Sequence, residues 1–234
     1  MNDIFGRALL DYQNNDYTED IVTKSSLDEE DILPLPYLFR IFDEMPPIEQ
    51  KALQLCKGKV LDIGAGAGSH SLYLQNKGFD VTALDSSKGS TDVCKLRGIK
   101  KAVHGSLLNY ADSSFDTLLM LMNGIGLVGE IGSLTDYFSH LKSLLKPKGQ
   151  ILLDSSDIIY MFEEDEDGGI WVPDQNYYGE VEFTMLYKGK SGLPFKWLYL
   201  DFQTLTNAAE ASGLNCELVL EGEHYDYLAR LWRK

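Results

Sequence analysis

The chain is expected to form an α/β fold in which a parallel sheet is covered by helices on both faces, and three observations carry that expectation. Short apolar runs recur at residues 59–63, 80–84, 101–104, 115–122 and 149–154, each the length of a buried strand. Helical spacing separates them at 69–77, 87–97 and 133–146. The first run opens into Gly64-Ala65-Gly66-Ala67-Gly68-Ser69, a tight glycine loop at the start of a helix. Strand–helix alternation of this kind builds a sheet sandwiched between helical layers.

The elements follow in order. Ile4, Phe5, Ala8, Leu9 and Tyr12 share one helical face, so a short amphipathic helix is expected over residues 1–12. Residues 13–31 are polar and acidic without a sustained period and read as a mobile connection. Residues 34–45, with Leu35, Tyr37, Leu38, Phe39, Ile41 and Phe42, read as a second helix. Pro46-Pro47 starts a third, which faces Ile48, Ala52 and Leu55 inward and stops at Gly58. The helix after the glycine loop places Leu72 and Leu74 beside Tyr73 and stops at Gly78. Beyond the fifth strand, residues 158–179 break the rhythm with the acidic run Glu163-Glu164-Asp165-Glu166-Asp167 and then Trp171, Tyr177 and Tyr178. Residues 181–187 and 195–199 flank a Gly189-to-Pro194 turn as a hairpin. Residues 201–212 suit a helix ending at Gly213, and 216–220 with 225–233 form a closing antiparallel hairpin. No internal repeat or low-complexity linker interrupts the chain, so one domain over 1–234 is expected.

The chemistry concentrates at the first two strand ends. The glycine loop follows 59–63, and Val81-Thr82-Ala83-Leu84-Asp85 ends in a carboxylate one helix later. An acid at that point accepts hydrogen bonds from both hydroxyls of an adenosine ribose. A dinucleotide loop reads G-x-G-x-x-G, yet here Gly64, Gly66 and Gly68 read G-x-G-x-G, and Ser69 stands where the third dinucleotide glycine belongs. Asp62 adds an anion before the loop, which disfavours a pyrophosphate and suits a cofactor with an ammonium and a sulfonium. No G-K-S/T follows, which excludes a Walker-type phosphate loop. The loop therefore fits S-adenosylmethionine better than a nicotinamide dinucleotide.

Asp62-Ile63-Gly64-Ala65-Gly66-Ala67-Gly68 resembles the first motif of class I S-adenosylmethionine-dependent methyltransferases, and Asp85 resembles the acid closing their second strand. Val103-His104-Gly105-Ser106-Leu107 is similar to their third strand and adenine loop, although Ser106 replaces the acid common there. A hydroxyl bonds the adenine amino group more weakly than a carboxylate does. The run from Phe115 to Gly124 resembles the fourth strand, whose end faces the methyl group, and Leu144 to Leu153 the turn and fifth strand. The resemblance is good over roughly residues 46–158 and loose over the last thirty or so.

It implies a Rossmann-like, seven-stranded, mainly parallel sheet with helices on both faces and a C-terminal antiparallel hairpin. An N-terminal helical cap (1–45) and an inserted lid or hairpin segment (158–200) should close over the carboxyl edge. It also implies S-adenosylmethionine as cofactor and direct in-line transfer to a small-molecule acceptor. The cofactor-binding set is then Asp62, Gly64, Ala65, Gly66, Gly68, Asp85, Ser86, Gly105, Ser106, Leu107 and Asn123, with Trp171, Tyr177 and Tyr178 as acceptor-site residues. The sulfonium methyl is already electrophilic, so no nucleophile-plus-base motif is required and no catalytic residue is singled out.

Each residue also has a plainer use. The glycines suit any tight strand-to-helix turn, Asp85 suits a helix cap, and Asn123 suits a polar turn as well as a contact to cofactor or acceptor. His70, His104, His140 and His224 read as packed or surface histidines. The acidic run reads as a solvated loop and the aromatics as cover for the sheet edge. Two other functions stay open: a nicotinamide-dependent oxidoreductase, and a non-catalytic sensor of S-adenosylmethionine.

Bulk composition narrows the partners. The 234 residues carry a formal charge of −15, which argues against nucleic acid and anionic membranes. No apolar run reaches the ~18–20 residues of a membrane span. Met1-Asn2-Asp3-Ile4 lacks the basic start of a signal peptide. Cys56, Cys94 and Cys216 match neither a disulfide framework nor a zinc spacing, so no metal is expected, and three reduced thiols point to the cytoplasm.

Overall fold

The computed structural model describes residues 3–112, 114–162, 169, 172 and 176–234. In chain order the elements are α1 (Ile4–Gln13), β1 (Ile21–Ser25), β2 (Glu30–Leu33), α2 (Leu35–Leu38), α3 (Pro47–Leu55), β3 (Lys59–Ile63), α4 (Ser69–Asn76), β4 (Asp80–Asp85) and α5 (Lys88–Leu96). They continue with β5 (Ala102–His104), β6 (Phe115–Met120), α6 (Leu134–Leu144), β7 (Leu145–Ser156), β8 (Glu180–Tyr187), β9 (Lys190–Ser191), β10 (Phe195–Leu198), α7 (Phe202–Ala211), β11 (Leu214–Glu221) and β12 (Asp226–Arg233).

Seven strands form the main sheet in the order β11-β12-β7-β6-β3-β4-β5. β3, β4, β5, β6 and β7 run parallel, while β12 pairs antiparallel with both β7 and β11. Strand order reverses at β3, which lies between β4 and β6. Ligands of open α/β sheets bind at such a switch point, outside the carboxyl ends of the strands.

The strand side chains alternate between two cores. Leu61 and Ile63 of β3, Leu118 and Met120 of β6, and Ile151 and Leu153 of β7 pack with Phe138 and Leu141 of α6 and Leu205 of α7. Val60, Leu119 and Leu152, one position out of phase, pack with Ile48, Ala52 and Leu53 of α3 and Leu74 of α4. This period of two is what a sheet covered on both faces requires.

A second, antiparallel sheet runs β10-β8-β1-β2, with β9 paired to β8. It corrects the expectation for residues 13–31: this stretch holds β1 and the start of β2 rather than an irregular connection. β1 pairs with β8 far along the chain, Thr23 opposite Met185 and Ser25 opposite Phe183. The helix expected over 34–45 shrinks to α2 and a single 3-10 turn at Phe42–Glu44. Ile41 and Met45 are extended, and Met45 precedes Pro46, a position that disfavours helix. The expected hairpin over 181–199 is present as β8 and β10.

α1 docks on α5 through two glycines. A Cβ at Gly89 would lie 2.4 Å from the carbonyl carbon of Gly6, with backbone on both sides of the contact. Asp3 joins the two helix starts, accepting from Gly6 N (2.9 Å), Ser87 Oγ (2.9 Å) and Gly89 N (3.0 Å). Gly89→Ala is therefore expected to push α1 away. Overpacking of this kind costs about 1–3 kcal/mol, and each kcal/mol lowers Tm by about 2–4 °C in a chain of this size. Thermal melts of wild type and variant check this, and an unchanged Tm would refute the contact.

Candidate active site

Three left-handed residues shape the loop after β3: Gly64 (φ +75), Gly66 (φ +55) and Gly68 (φ +82). Their reasons differ. A Cβ at Gly68, the N-cap of α4, would fall 2.3 Å from Ile99 Cδ1 and 2.9 Å from Cys94 Sγ, so packing demands glycine there. A Cβ at Gly66 would meet nothing nearer than Phe5 Cζ at 3.9 Å and would project into the cavity before the loop.

Asp85 ends β4 against this loop, 8% exposed. Its carboxylate accepts from Gly66 N (2.8 Å) and Ser87 N (2.7 Å), fastening the glycine loop to the neighbouring strand end. Burial raises its pKa above the ordinary aspartate range, and the two backbone donors only partly offset this.

Gly64, Ala65, Gly66, Asp85, Ser86, Gly105, Ser106 and Leu107 all line one cavity of about 1340 Å³. Asp62, Gly68 and Asn123 are not in its lining. The buried Asp62 carboxylate accepts from Ser71 Oγ at 2.6 Å, tying β3 to α4, and burial pushes its pKa up.

The turn after β6 is unusual. Met122 (φ +66) and Asn123 (φ +55) are consecutive non-glycine residues in the left-handed region, a conformation that must be held from outside. Asp154 holds it, accepting from Met122 N (3.1 Å) and Gly124 N (2.8 Å). Asn123 itself faces the second sheet: Nδ2 donates to Leu198 O (3.1 Å), and Oδ1 accepts from Ser155 Oγ (3.1 Å). Ser155 Oγ in turn accepts from Leu200 N (2.9 Å). Asn123 thus clamps the end of β10 to the ends of β6 and β7.

Burial raises Asp154 to about 6. An unfolded aspartate loses its proton near 3.9, so between those values the folded chain holds more protons and stability falls as pH rises. Asp154→Asn is expected to abolish that segment of the pH dependence. Urea midpoints measured from pH 4 to 7 check this, and parallel curves for the two proteins would contradict it.

A buried cluster on the cavity wall escaped the sequence reading. The Arg40 guanidinium bonds Glu49, lies 3.9 Å from the centre of the Tyr37 ring, and leaves its Nε without a partner. Glu49 also accepts from His70 Nε2 at 2.6 Å. Burial alone would raise Glu49, but the bonds from His70 and Arg40 outweigh it and bring the carboxyl below its usual range. Arg40 and His70 line the cavity. Only the first-turn position of His70 hinted at this in sequence; Arg40 and Glu49 arrive from separate segments with no motif spacing.

Of the expected acceptor residues, only Tyr177 and Tyr178 are among the described ones. Trp171 and the acidic run at 163–167 fall outside the described residues. Tyr177 and Tyr178 do not line the cavity: Tyr177 OH donates to Asp201 (2.7 Å) at the start of α7, and Tyr178 OH donates to Asp157 (2.8 Å). The far wall is one face of the second sheet, with Thr23, Phe183, Met185, Phe195, Trp197 and Tyr199.

These residues fit S-adenosylmethionine. The carboxylate of Asp85 suits ribose hydroxyls, the Gly105-to-Leu107 backbone and Leu107 suit a flat base, and the orphan Nε–H of Arg40 suits a carboxylate. Among the described residues no group of three or more His, Cys, Asp or Glu is arranged to hold a metal ion. The three cysteines are free, and no helix among the described residues is long and apolar enough to cross a membrane.

The family model described as a methyltransferase domain matches residues 61–153. A solved structure of a SAM-dependent methyltransferase from Bacteroides fragilis, in complex with S-adenosyl-L-homocysteine, is 45% identical, with a TM-score of 0.91 over 98% of this chain and 94% of that one. The fold recurs in the PH0226 protein of Pyrococcus horikoshii, at 20% identity and a TM-score of 0.59 over 80% of this chain and 88% of that one. Among curated relatives, the cypemycin N-terminal methyltransferase of Streptomyces is 32% identical over 42% of each chain. YqeM of Bacillus subtilis is 26% identical over 56% of this chain and 58% of its own. The chain thus spans about half the length of the curated relatives it matches. This chain belongs to the S-adenosylmethionine-dependent methyltransferases. S-adenosylmethionine is its cofactor, and nothing in these matches supports a nicotinamide-dependent oxidoreductase or a sensor.

Proposed function

We propose that the chain transfers the methyl group of S-adenosylmethionine directly, in line, to a small-molecule acceptor held between the carboxyl edge of the main sheet and the face of the antiparallel sheet. One observation carries this reading. One cavity of about 1340 Å³ runs from the glycine loop and Asp85 to that second face, and it exceeds the roughly 300–1,000 Å³ of an ordinary small-molecule site. That volume is enough for a cofactor and a small acceptor together.

When bound, the sulfonium supplies a methyl group already electrophilic enough for direct displacement. The protein's part is alignment and exclusion of water. Asp85 holds the ribose, the Gly105-to-Leu107 turn carries the base, and Arg40, steadied by Glu49 and Tyr37, receives the carboxylate end. The turn at Met122 and Asn123, held by Asp154 and clamped to β10, sets the spacing between the two compartments. His70 bonds Glu49 through Nε2 and so helps to position Arg40. The −15 charge disfavours nucleic acid as the acceptor, and we place the protein in the cytoplasm with its free thiols.

Incubation of the purified chain with S-adenosylmethionine and a small-metabolite extract tests this. Formation of S-adenosylhomocysteine that depends on the extract is expected. Binding of the cofactor without turnover in any extract would favour the sensor instead.

A further inference from the structure

We infer that the inner face of the antiparallel sheet is the acceptor site and that it takes an organic amine with an apolar body; this rests on the methyl-transfer reading above.

The register puts the relevant residues on one face. Thr23 lies opposite Met185, Ser25 and Phe195 both lie opposite Phe183, and Trp197 lies opposite Val181, and every one of these lines the cavity. The rings touch one another: Phe183 and Phe195 stack with centroids 6.1 Å apart, Phe195 and Trp197 meet edge to face at 6.2 Å, and Phe183 and Tyr199 lie at 6.4 Å. This is a continuous aromatic floor inside a cavity. Its position is fixed from below, because the Trp197 indole seats on Gly126, where a Cβ would come within 2.1 Å of Nε1.

Charge selects the occupant. Among the described residues every lysine and arginine of the cavity lining has a carboxylate partner: Arg40 pairs with Glu49 and faces the cofactor end, Lys88 pairs with Asp92 and Lys196 with Glu130. Glu29 and Asp31, at the β2 side of the same face, line the cavity and have no ion pair among the described residues. Aromatic faces attract ammonium groups through the ring quadrupole, and unpaired carboxylates add to the attraction. An anionic acceptor would find no unpaired lysine among the described residues of this lining.

The described residues of the sheet face include no histidine and no thiol; the two histidines of the same cavity belong to the main-sheet side, where His70 bonds Glu49 and His104 bonds Ser86 O. Burial and the nearby Tyr160 push the Tyr199 hydroxyl up to about 12, which leaves it neutral rather than basic. An amine that has lost one proton is a stronger nucleophile than a neutral phenol or a carboxylate. The bound ammonium releases one proton to solvent at the open mouth, and the freed lone pair attacks the methyl carbon. The carbon–sulfur bond breaks with its electrons going to sulfur. The positive charge passes to the new N-methylammonium, which leaves in that protonated form.

The test uses the full chain saturated with S-adenosylhomocysteine, titrated calorimetrically with phenethylamine and with its anionic counterpart 3-phenylpropanoate. Turnover with S-adenosylmethionine is then followed for phenethylamine, 3-phenylpropanoate and phenol. The amine is expected to bind and to be N-methylated, while 3-phenylpropanoate and phenol are inert. Phe195→Leu is expected to weaken amine binding by roughly three- to thirtyfold, the range of a cation–π contact, with S-adenosylhomocysteine affinity unchanged. The double variant Glu29→Gln, Asp31→Asn tests the charge separately, and a few-fold rise in KM that fades with added salt is expected. Methylation of the phenol or carboxylate in preference to the amine overturns the proposal. So does full amine affinity in both Phe195→Leu and the double variant. If S-adenosylhomocysteine itself fails to bind, the methyl-transfer reading falls and takes this proposal with it.

Discussion

Asp85→Ala is expected to weaken S-adenosylmethionine binding by roughly ten- to hundredfold, the equivalent of about 1.5–3 kcal/mol for hydrogen bonds to a charged acceptor. The carboxylate is 8% exposed and borders the cavity, so its contacts to a ribose are shielded from competing water. Two backbone bonds, from Gly66 N and Ser87 N, are lost with it, which loosens the loop as well as the ribose contact. Asp85→Asn separates the two effects, since the amide oxygen retains one backbone bond without the charge. There is a pH signature too. Burial raises the Asp85 pKa, so protonation begins above the usual aspartate range and wild-type affinity falls as pH is lowered through that raised value. The asparagine variant should show no such fall. Calorimetry on all three proteins checks this, and equal affinities would remove Asp85 from the site.

Gly66→Val is expected to abolish cofactor binding while leaving the chain folded. At φ +55 a β-branched residue is strained, by about 1–3 kcal/mol on the usual scale for left-handed residues. The space around the new Cβ is open on the protein side, with Phe5 Cζ the nearest atom at 3.9 Å. The fold can therefore accept the side chain, but a ligand packed against the loop cannot. A thermal-shift assay with S-adenosylhomocysteine should show stabilisation of wild type and none of the variant. The same substitution at Gly68 would instead strike Ile99 and Cys94, and loss of the fold itself is the expected outcome there.

Much of this architecture was legible because it is local. A strand ending in glycines, a helix, and a strand ending in Asp85 fall within about one βαβ unit, and each boundary in that stretch carries its own signal. The expected strand at 59–63 coincides with β3, and the closing hairpin is present as β11 and β12. What escaped was non-local. The pattern Ile21-Val22-Thr23-Lys24-Ser25 is too short and polar to announce a strand, and β1 exists because β8, from the other end of the chain, pairs with it. The Arg40, Glu49 and His70 cluster is assembled the same way, from three segments that share no spacing. Tyr177 and Tyr178 were conspicuous aromatics in sequence, yet their hydroxyls serve the junction around Asp157 and Asp201. The rings that face the cavity, Phe183, Phe195 and Trp197, looked in sequence like ordinary hairpin residues. Only the register shows that they share a face.

On this reading the cofactor and acceptor compartments are two ends of one cavity. A crystal structure of the chain with S-adenosylhomocysteine tests it most directly. Ribose hydroxyls are expected within hydrogen-bonding distance of the Asp85 carboxylate, the base against Leu107, and the sulfur open toward the face of Phe195 and Trp197. A sulfur turned away from that face, or walled off from it by protein, would show that the two compartments are not continuous.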